Sequence, residues 1–261
     1  MDSRYPIHEV FASIQGEGLF VGQPQVFVRV DGCPLRCRWC DTPQTWGLPS
    51  DSKQGTDWSA DPVRSWCTAQ EVAERVRELD PLGRRSVSLT GGEPLMWPGL
   101  VEQLRKLLPG ARLHLETAGA FPRTLERLLD QVDHVSADLK LPGDMQTPVP
   151  LQSALRDFEE APRDAVQWRL ARRAVLALLA DRDACLKLVV AAGPEAQDYS
   201  ELLDDVRELA ADLPLYLQSV TPLRDVQAAD SKTLDLLVEM AQSRGLSTRV
   251  LPQVHALLGL R

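Results

Sequence analysis

The stretch Asp31-Gly-Cys33-Pro-Leu-Arg-Cys37-Arg-Trp39-Cys40-Asp-Thr42 constrains this chain more than any other. Its cysteines follow the spacing C-x3-C-x2-C, so three thiolates on one short loop can converge on one metal centre. A structural zinc site closes with four protein ligands. An ordinary 4Fe–4S cluster also takes four, one per iron. Three cysteines therefore suit a 4Fe–4S cluster whose remaining iron stays open to a cofactor or substrate. The competing reading is a zinc loop completed by Cys67, Cys185 or one of four histidines. None of these stands at a paired C-x2-C or H-x3-H spacing with the loop. A disulfide framework is disfavoured, because five cysteines are sparse for 261 residues and odd in number.

A chain of this length can bury one large core, and an α/β barrel of such size is often one domain. The net charge of −8 argues against broad electrostatic binding to nucleic acid or to an anionic membrane. Met1-Asp-Ser-Arg-Tyr-Pro6 lacks the apolar region of a signal peptide. No run approaches the roughly 20 apolar residues that span a bilayer. With free thiols in such a chain, the expectation is a soluble cytoplasmic protein.

Period-2 alternation predicts strands over 7–13 and 25–31, joined by the Gly-rich turn Ser13-Ile-Gln15-Gly-Glu17-Gly18. Residues 48–66 are polar and Pro/Ser/Asp/Gly-containing, and read as a surface insertion. Thr68 with Glu71 three residues later forms a capping-box pattern, and Val72, Val76 and Leu79 share a helical face. Strands over 86–90, 112–117, 132–139, 186–191, 215–220 and 248–251 then alternate with helical segments marked by Leu100–Leu108, Leu125–Leu129, 164–180, 199–211 and 232–244. Gly245 can end the last of these. Residues 143–165 read as a second Pro/Asp/Glu-rich interruption. The alternation implies βαβ units and a mostly parallel sheet, with about six units after the cysteine loop. That is short of the eight of a complete TIM barrel. The expectation is one α/β domain over 1–261, a partial (β/α) barrel with insertions near 48–66 and 143–165.

In parallel α/β folds, catalytic groups gather where strands end. The segments there are the cysteine loop, Thr90-Gly-Gly92-Glu93-Pro94, Glu116-Thr-Ala-Gly119, Ser136-Ala137-Asp138-Leu-Lys140 and Gln218-Ser219-Val220-Thr221-Pro222. Paired glycines let backbone approach a ligand closely, and a glutamate beside them can accept from an ammonium group. A strand-end Ser and Asp can hold a ribose hydroxyl or an adenine edge; as a plain capped turn they would carry a surface lysine. Arg29 shares a strand face with Phe27 and Asp31. If that face is inward, the cation needs a partner, and a substrate carboxylate suits it. If it is outward, Arg29 is a solvated strand residue.

The cysteine spacing, with aromatic Trp39 before the last cysteine and the Gly-Gly-Glu stretch downstream, resembles the radical S-adenosylmethionine (SAM) superfamily. That resemblance implies a 4Fe–4S cluster whose open iron binds SAM, and formation of a 5′-deoxyadenosyl radical that abstracts hydrogen. The order Ser-Ile-Gln-Gly-Glu-Gly, Phe-Val-Arg, Cys-x3-Cys-x2-Cys-Asp-Thr, Thr-Gly-Gly-Glu-Pro is narrower, and resembles the 7-carboxy-7-deazaguanine synthase family. The resemblance spans residues 9–46 and 86–140, with weaker likeness in 186–190, 218–222 and 251–261. It implies ring contraction of 6-carboxy-5,6,7,8-tetrahydropterin with loss of ammonia, in queuosine or other deazapurine biosynthesis. It implies Mg²⁺ besides cluster and SAM, an electron donor such as flavodoxin or ferredoxin, and a homodimer. It makes Cys33, Cys37 and Cys40 the cluster ligands and Thr42 the Mg²⁺ ligand. Ile14, Gln15, Gly16, Glu17, Arg29, Thr90 and the C-terminal Arg261 would meet substrate. Gly92, Glu93, Ser136, Ala137, Asp138, Gln218, Ser219, Val220 and Thr221 would meet SAM. Gln218-Ser219 departs from the more usual Gln-Pro. Two other functions share the cysteine loop: an activase that installs a glycyl radical on a protein, and a non-catalytic zinc or Fe–S interaction module.

Overall fold

The chain opens on a hairpin, β1 (Arg4–Ile14) and β2 (Pro24–Val30), whose strands run antiparallel. The elements that follow are β3 (Arg36–Cys37), β4 (Ser65–Thr68), α1 (Ala69–Leu79), β5 (Ser86–Gly91), α2 (Pro98–Leu107), β6 (Leu113–Thr117) and α3 (Pro122–Leu128). After them come β7 (His134–Leu139), β8 (Met145–Gln146), α4 (Ala165–Leu179), β9 (Ala184–Val190), α5 (Ser200–Leu209), β10 (Leu215–Ser219), α6 (Ser231–Ser243), β11 (Thr248–Leu251) and α7 (Val254–Leu257). This computed structural model describes residues 3–50, 57–59, 62–151, 159–223 and 225–260.

One sheet has the order β11-β10-β9-β7-β6-β5-β2-β1-β4. From β2 to β11 neighbouring strands are parallel. Each crossover steps in the same direction, and right-handed crossovers that never reverse leave all their helices on one face. The other face is then free to curl around a site. β4 and β11 are not paired, so the barrel stays partial, as the unit count predicts.

Strand alternation sorts the two faces. Val26, Val28 and Val30 of β2 are buried in the main hydrophobic core, whereas Phe27 and Arg29 turn to the concave side and line its pocket. Helices lock onto the convex side by ordinary capping and burial. Thr68 Oγ1 accepts from Glu71 N at 3.2 Å, and Glu71 Oε2 accepts from Thr68 N at 2.7 Å. This is the predicted capping box, and such caps contribute about 1 kcal/mol. Val72, Ala73 and Val76 of α1 are buried below it. Asp164 and Asp230 cap α4 and α6, each accepting from the backbone N–H three residues on. Gly245 takes φ +76° just after α6, where a β-carbon would be strained.

One expectation is corrected, and a second stretch gains detail. Residues 48–66 are not all surface insertion: Ser65 and Trp66 belong to β4, which pairs with β1 and extends the sheet. Of that stretch, 51–56 and 60–61 lie outside the described residues. The interruption at 143–165 carries a short strand, and its residues 152–158 lie outside the described residues. Its β8 pairs antiparallel with β3, inside the cysteine loop. Local pattern missed both strands because they are two to four residues long and form only through partners distant in sequence.

Candidate active site

The concave face carries polar side chains where a filled barrel would carry branched apolar ones. Arg29 on β2 is in register with Thr90 on β5. Glu116 pairs with Ser136 across β6 and β7, and Asp138 with Lys187 across β7 and β9. Val189 pairs with Gln218 across β9 and β10. One pocket lies at the strand ends, bordered by Cys33, Cys37 and Cys40. Ile14, Gln15, Gly16, Glu17, Arg29, Thr42, Thr90, Gly92, Glu93, Asp138, Gln218 and Val220 also line it. Segments up to about two hundred residues apart in sequence therefore meet, as the strand-end argument predicts.

Some expected residues lie elsewhere. Ser136 is buried beneath the pocket, with Oγ 2.8 Å from His114 Nε2 and 3.2 Å from Cys185 Sγ. Ala137, Ser219 and Thr221 are also outside the pocket walls. Ala137 alternates to the core side, and Thr221 stands exposed with its N–H donated to Gln253. Arg261 lies outside the described residues. Asp31 leaves the Arg29 face and is buried against His8, 2.8 Å away.

The hairpin turn is anchored from beneath. Gln15 Nε2 donates to Glu116 at 2.6 Å and to Gln25 at 3.2 Å, while its Oε1 accepts from Glu17 N at 3.1 Å. Glu116 also accepts from Ser88 and Thr90. Glu17 begins an alternating row of buried charge. Lys187 Nζ lies 2.8 Å from Glu17 and 3.2 Å from Asp138, and Lys140 Nζ lies 2.9 Å from Asp138. Burial pulls the Lys187 ammonium toward neutrality, but Asp138 and Glu17 more than reverse this and hold it well above the usual lysine range. Burial likewise opposes ionisation of Glu17 and Asp138, and the lysines keep both below the usual carboxylate range.

Lys140 is thus a buried partner and not a surface residue. Sequence reading passed over Lys187 and gave Glu116 no role. Their signal was a lone charged residue at an alternate position of an otherwise apolar strand, as in Ala184-Cys-Leu-Lys187-Leu-Val-Val190. The tail adds two more residues. Gln253 Nε2 donates to Glu17 at 2.9 Å, and His255 packs so closely on Gly16 that a β-carbon there would fall 2.0 Å from its Nδ1.

Arg29 Nε pairs with Glu9 at 2.9 Å, and its guanidinium lies over Phe11. Gln218 Oε1 is buried and has no hydrogen-bond partner among the described residues. It is an acceptor aimed at the space a ligand would fill.

The sequence profile of the Radical SAM superfamily matches residues 27–161. The 7-carboxy-7-deazaguanine synthase of Methanothermobacter thermautotrophicus is 33% identical over 99% of this chain and 98% of its own length. The chain belongs to the 7-carboxy-7-deazaguanine synthase family, within the radical SAM enzymes. The synthase of Geobacter sulfurreducens is 31% identical over 97% of this chain and 96% of its own. The fold resembles that of QueE from Escherichia coli, with a TM-score of 0.58 at 24% identity, over 95% of this chain and 93% of that one. Membership in this enzyme family displaces the activase and interaction-module readings. A radical SAM family member carries a 4Fe–4S cluster and SAM. No helix among the described residues is long and apolar enough to cross a membrane.

The residues present fit that cluster. Burial raises all three loop thiols, Cys37 to about 11 even with Lys140 pulling the other way. Thiolates in so dry a place need a cationic centre to balance them. The sulfurs of a tetrahedral zinc site would sit about 4 Å apart. Among the described residues, the group of three ligand atoms all within 4.8 Å of one another is Glu17, Asp41 and His255, not the cysteines. The more open spread of the thiols suits a multi-iron centre.

Glu93 shows how the Gly-Gly-Glu turn is built. Gly92 N donates to Val30 O at 2.8 Å, and a β-carbon on Gly92 would fall 2.5 Å from Gly32 O, so only glycine fits against the cysteine loop. Glu93 itself accepts from Leu95 N, Thr117 Oγ1 and Ala118 N at 3.1, 2.8 and 2.8 Å. These three donors tie the turn to the end of β6 and leave roughly one acceptor position for a ligand. Burial still outweighs them and pushes the carboxyl up to about 7. An acid with a raised folded-state pKa stabilises the fold fully at low pH, and that contribution is lost as pH rises to about 7. Relative to Glu93→Gln, the cluster-free parent should therefore lose up to about 3 kcal/mol between pH 4.5 and 7. Parallel denaturant curves across that range check this, and a constant difference between the two proteins refutes it.

Proposed function

We propose that the protein converts 6-carboxy-5,6,7,8-tetrahydropterin to 7-carboxy-7-deazaguanine with loss of ammonia. The carrying observation is the convergence on one pocket of the three cysteines, the Gly-Gly-Glu turn, and a polar wall that includes Arg29. When bound, cluster and SAM supply a 5′-deoxyadenosyl radical able to take a hydrogen atom from the pterin.

The chain's residues bind, orient and shield. Cys33, Cys37 and Cys40 would hold the cluster. Gly92, Glu93 and Asp138 form the cofactor wall, where Glu93 accepts from the SAM ammonium group and the unpartnered Gln218 Oε1 accepts a ligand N–H. Ile14, Gln15, Gly16, Glu17 and Thr90 form the pterin wall. Gln15 is already held by Glu116 and Gln25, so it meets the ligand without first losing side-chain freedom. Arg29 takes the substrate carboxylate. Five N–H donors are carried by a guanidinium, and Glu9 is paired with Nε. Reading the chain as one radical SAM domain, a cytoplasmic homodimer with a flavodoxin- or ferredoxin-type donor, rests on the family resemblance.

Thr42 lines the pocket next to Asp41, whose carboxylate accepts from Thr42 Oγ1 at 3.3 Å. Mg²⁺ prefers hard oxygen ligands and keeps several waters, and the Thr42 hydroxyl with substrate oxygens suits it. Thr42→Ala should keep cluster and SAM binding and lose most of the Mg²⁺ stimulation. Rates with and without Mg²⁺ in that variant check this, and unchanged stimulation removes Thr42 from the metal site.

The function is tested by anaerobic reconstitution with iron and sulfide, followed by SAM, reductant and the carboxylated pterin. Formation of 7-carboxy-7-deazaguanine is expected. Its absence from a fully loaded, SAM-cleaving protein sinks the proposal.

A further inference from the structure

The segment after β7 runs along the cysteine loop. Arg38 N donates to Asp144 O at 3.0 Å, and Val149 N donates to Pro34 O at 2.9 Å. Between them Cys37 pairs with Met145 and Arg36 with Gln146. The strap therefore covers the loop from just past the first cysteine to just past the second. So short a two-stranded ladder is marginal by itself. What fastens it is a charge pair: Arg38 Nε lies 2.8 Å from Asp144 Oδ1, and the Asp144 side chain is 2% exposed. The same guanidinium donates to Ala192 O, just beyond β9. Arg38 thereby ties the loop to the ends of two strands at once. On the other side of Cys37, Arg36 Nη1 donates to the carbonyls of Cys33 and Leu35, both at 2.7 Å.

We propose that Asp144 and Arg38 are positioning residues that clamp the cysteine loop in its cluster-holding shape. This rests on reading Cys33, Cys37 and Cys40 as the cluster ligands. A loop carrying three ligands loses cluster when it opens, and each opening must break the Arg38 contacts or leave Asp144 buried without its cation. Groups that hold metal ligands in place affect metal retention about 10- to 100-fold when removed.

The test loads the parent, Asp144→Ala, Arg38→Gln, the double variant and Cys37→Ala with cluster under anaerobic conditions. Loss of Fe–S absorbance to an iron chelator is followed, together with the melting temperature of each cluster-free protein. Each single variant is expected to release iron about 10- to 100-fold faster than the parent with little change in cluster-free melting. The double variant should be no faster than the worse single, because both changes remove one clamp. Release within about twofold of the parent, or faster release matched by a comparable drop in cluster-free melting temperature, overturns the clamp. If Asp144→Ala does not fold, Arg38→Gln decides, since Arg38 is one-third exposed and less needed by the core. Retention of the cluster in Cys37→Ala would overturn the ligand assignment instead, so the two failures are distinct.

Discussion

A Cys37→Ala protein should bind no stable 4Fe–4S cluster and cleave no SAM. Two remaining thiolates hold a cubane poorly. Cys37 is also the middle ligand of the loop, flanked by Arg36 and Arg38, and no other thiol stands ready to replace it. The free cysteines outside the loop, Cys67 and Cys185, are both buried. Cys185 Sγ shares a hydrogen bond with Ser136 Oγ below the pocket. Cys67→Ala and Cys185→Ser should therefore keep the visible absorbance of a bound Fe–S cluster. Absorbance, iron content and 5′-deoxyadenosine formation, measured side by side, check this. A Cys37→Ala protein that still cleaves SAM would refute the assignment.

Loss of the Arg29 guanidinium should reduce kcat/KM for the carboxylated pterin by roughly thirty- to several-thousandfold. That range follows from the about 2–5 kcal/mol lost when one partner of a desolvated charge pair is removed. Arg29 is mostly buried, at 18% side-chain exposure, and held by Glu9 and the Phe11 face, so its fork is pre-organised toward the pocket. Arg29→Lys should recover only part, since an ammonium cannot make the paired contact. Glu9 loses its arginine in both variants, so the Glu9→Gln/Arg29→Ala protein belongs in the comparison. An equal deficit in that double variant assigns the loss to substrate and not to a stranded carboxylate. SAM cleavage without substrate should survive every one of these changes. Equal turnover by parent, Arg29→Ala and Arg29→Lys would remove Arg29 from the substrate site.

Much of the site was legible locally because its chemistry is packed into contiguous motifs. The cysteine spacing, the Gly-Gly-Glu turn and the Ser-Ile-Gln-Gly-Glu-Gly turn each need only adjacent residues to be recognised. The strand-end rule then placed them together without coordinates. Reading Ser136 by the same rule put it one residue pair too high. Along β7 it is Asp138 that reaches the pocket, while Ser136, two residues earlier on the same face, lies in the layer beneath. Depth along a strand depends on register with its neighbours, which sequence does not state.

Sequence alone was enough for the class of fold, the three thiolates and the glycine turn, whereas the face taken by Arg29 stayed open until the sheet placed it in the pocket wall. The fold class follows from strand–helix alternation along the chain, and the thiolates and the turn from spacing within about a dozen residues. Tertiary structure alone decided that Lys187 stands between Glu17 and Asp138, that Gln253 and His255 close on the hairpin turn, and that β8 straps the cysteine loop. These pairings join residues far apart in the chain. Taking these charges and backbone groups out of water is costly, and it is offset only where each meets its partner in a low-dielectric site, a condition that exists only once the sheet has curled.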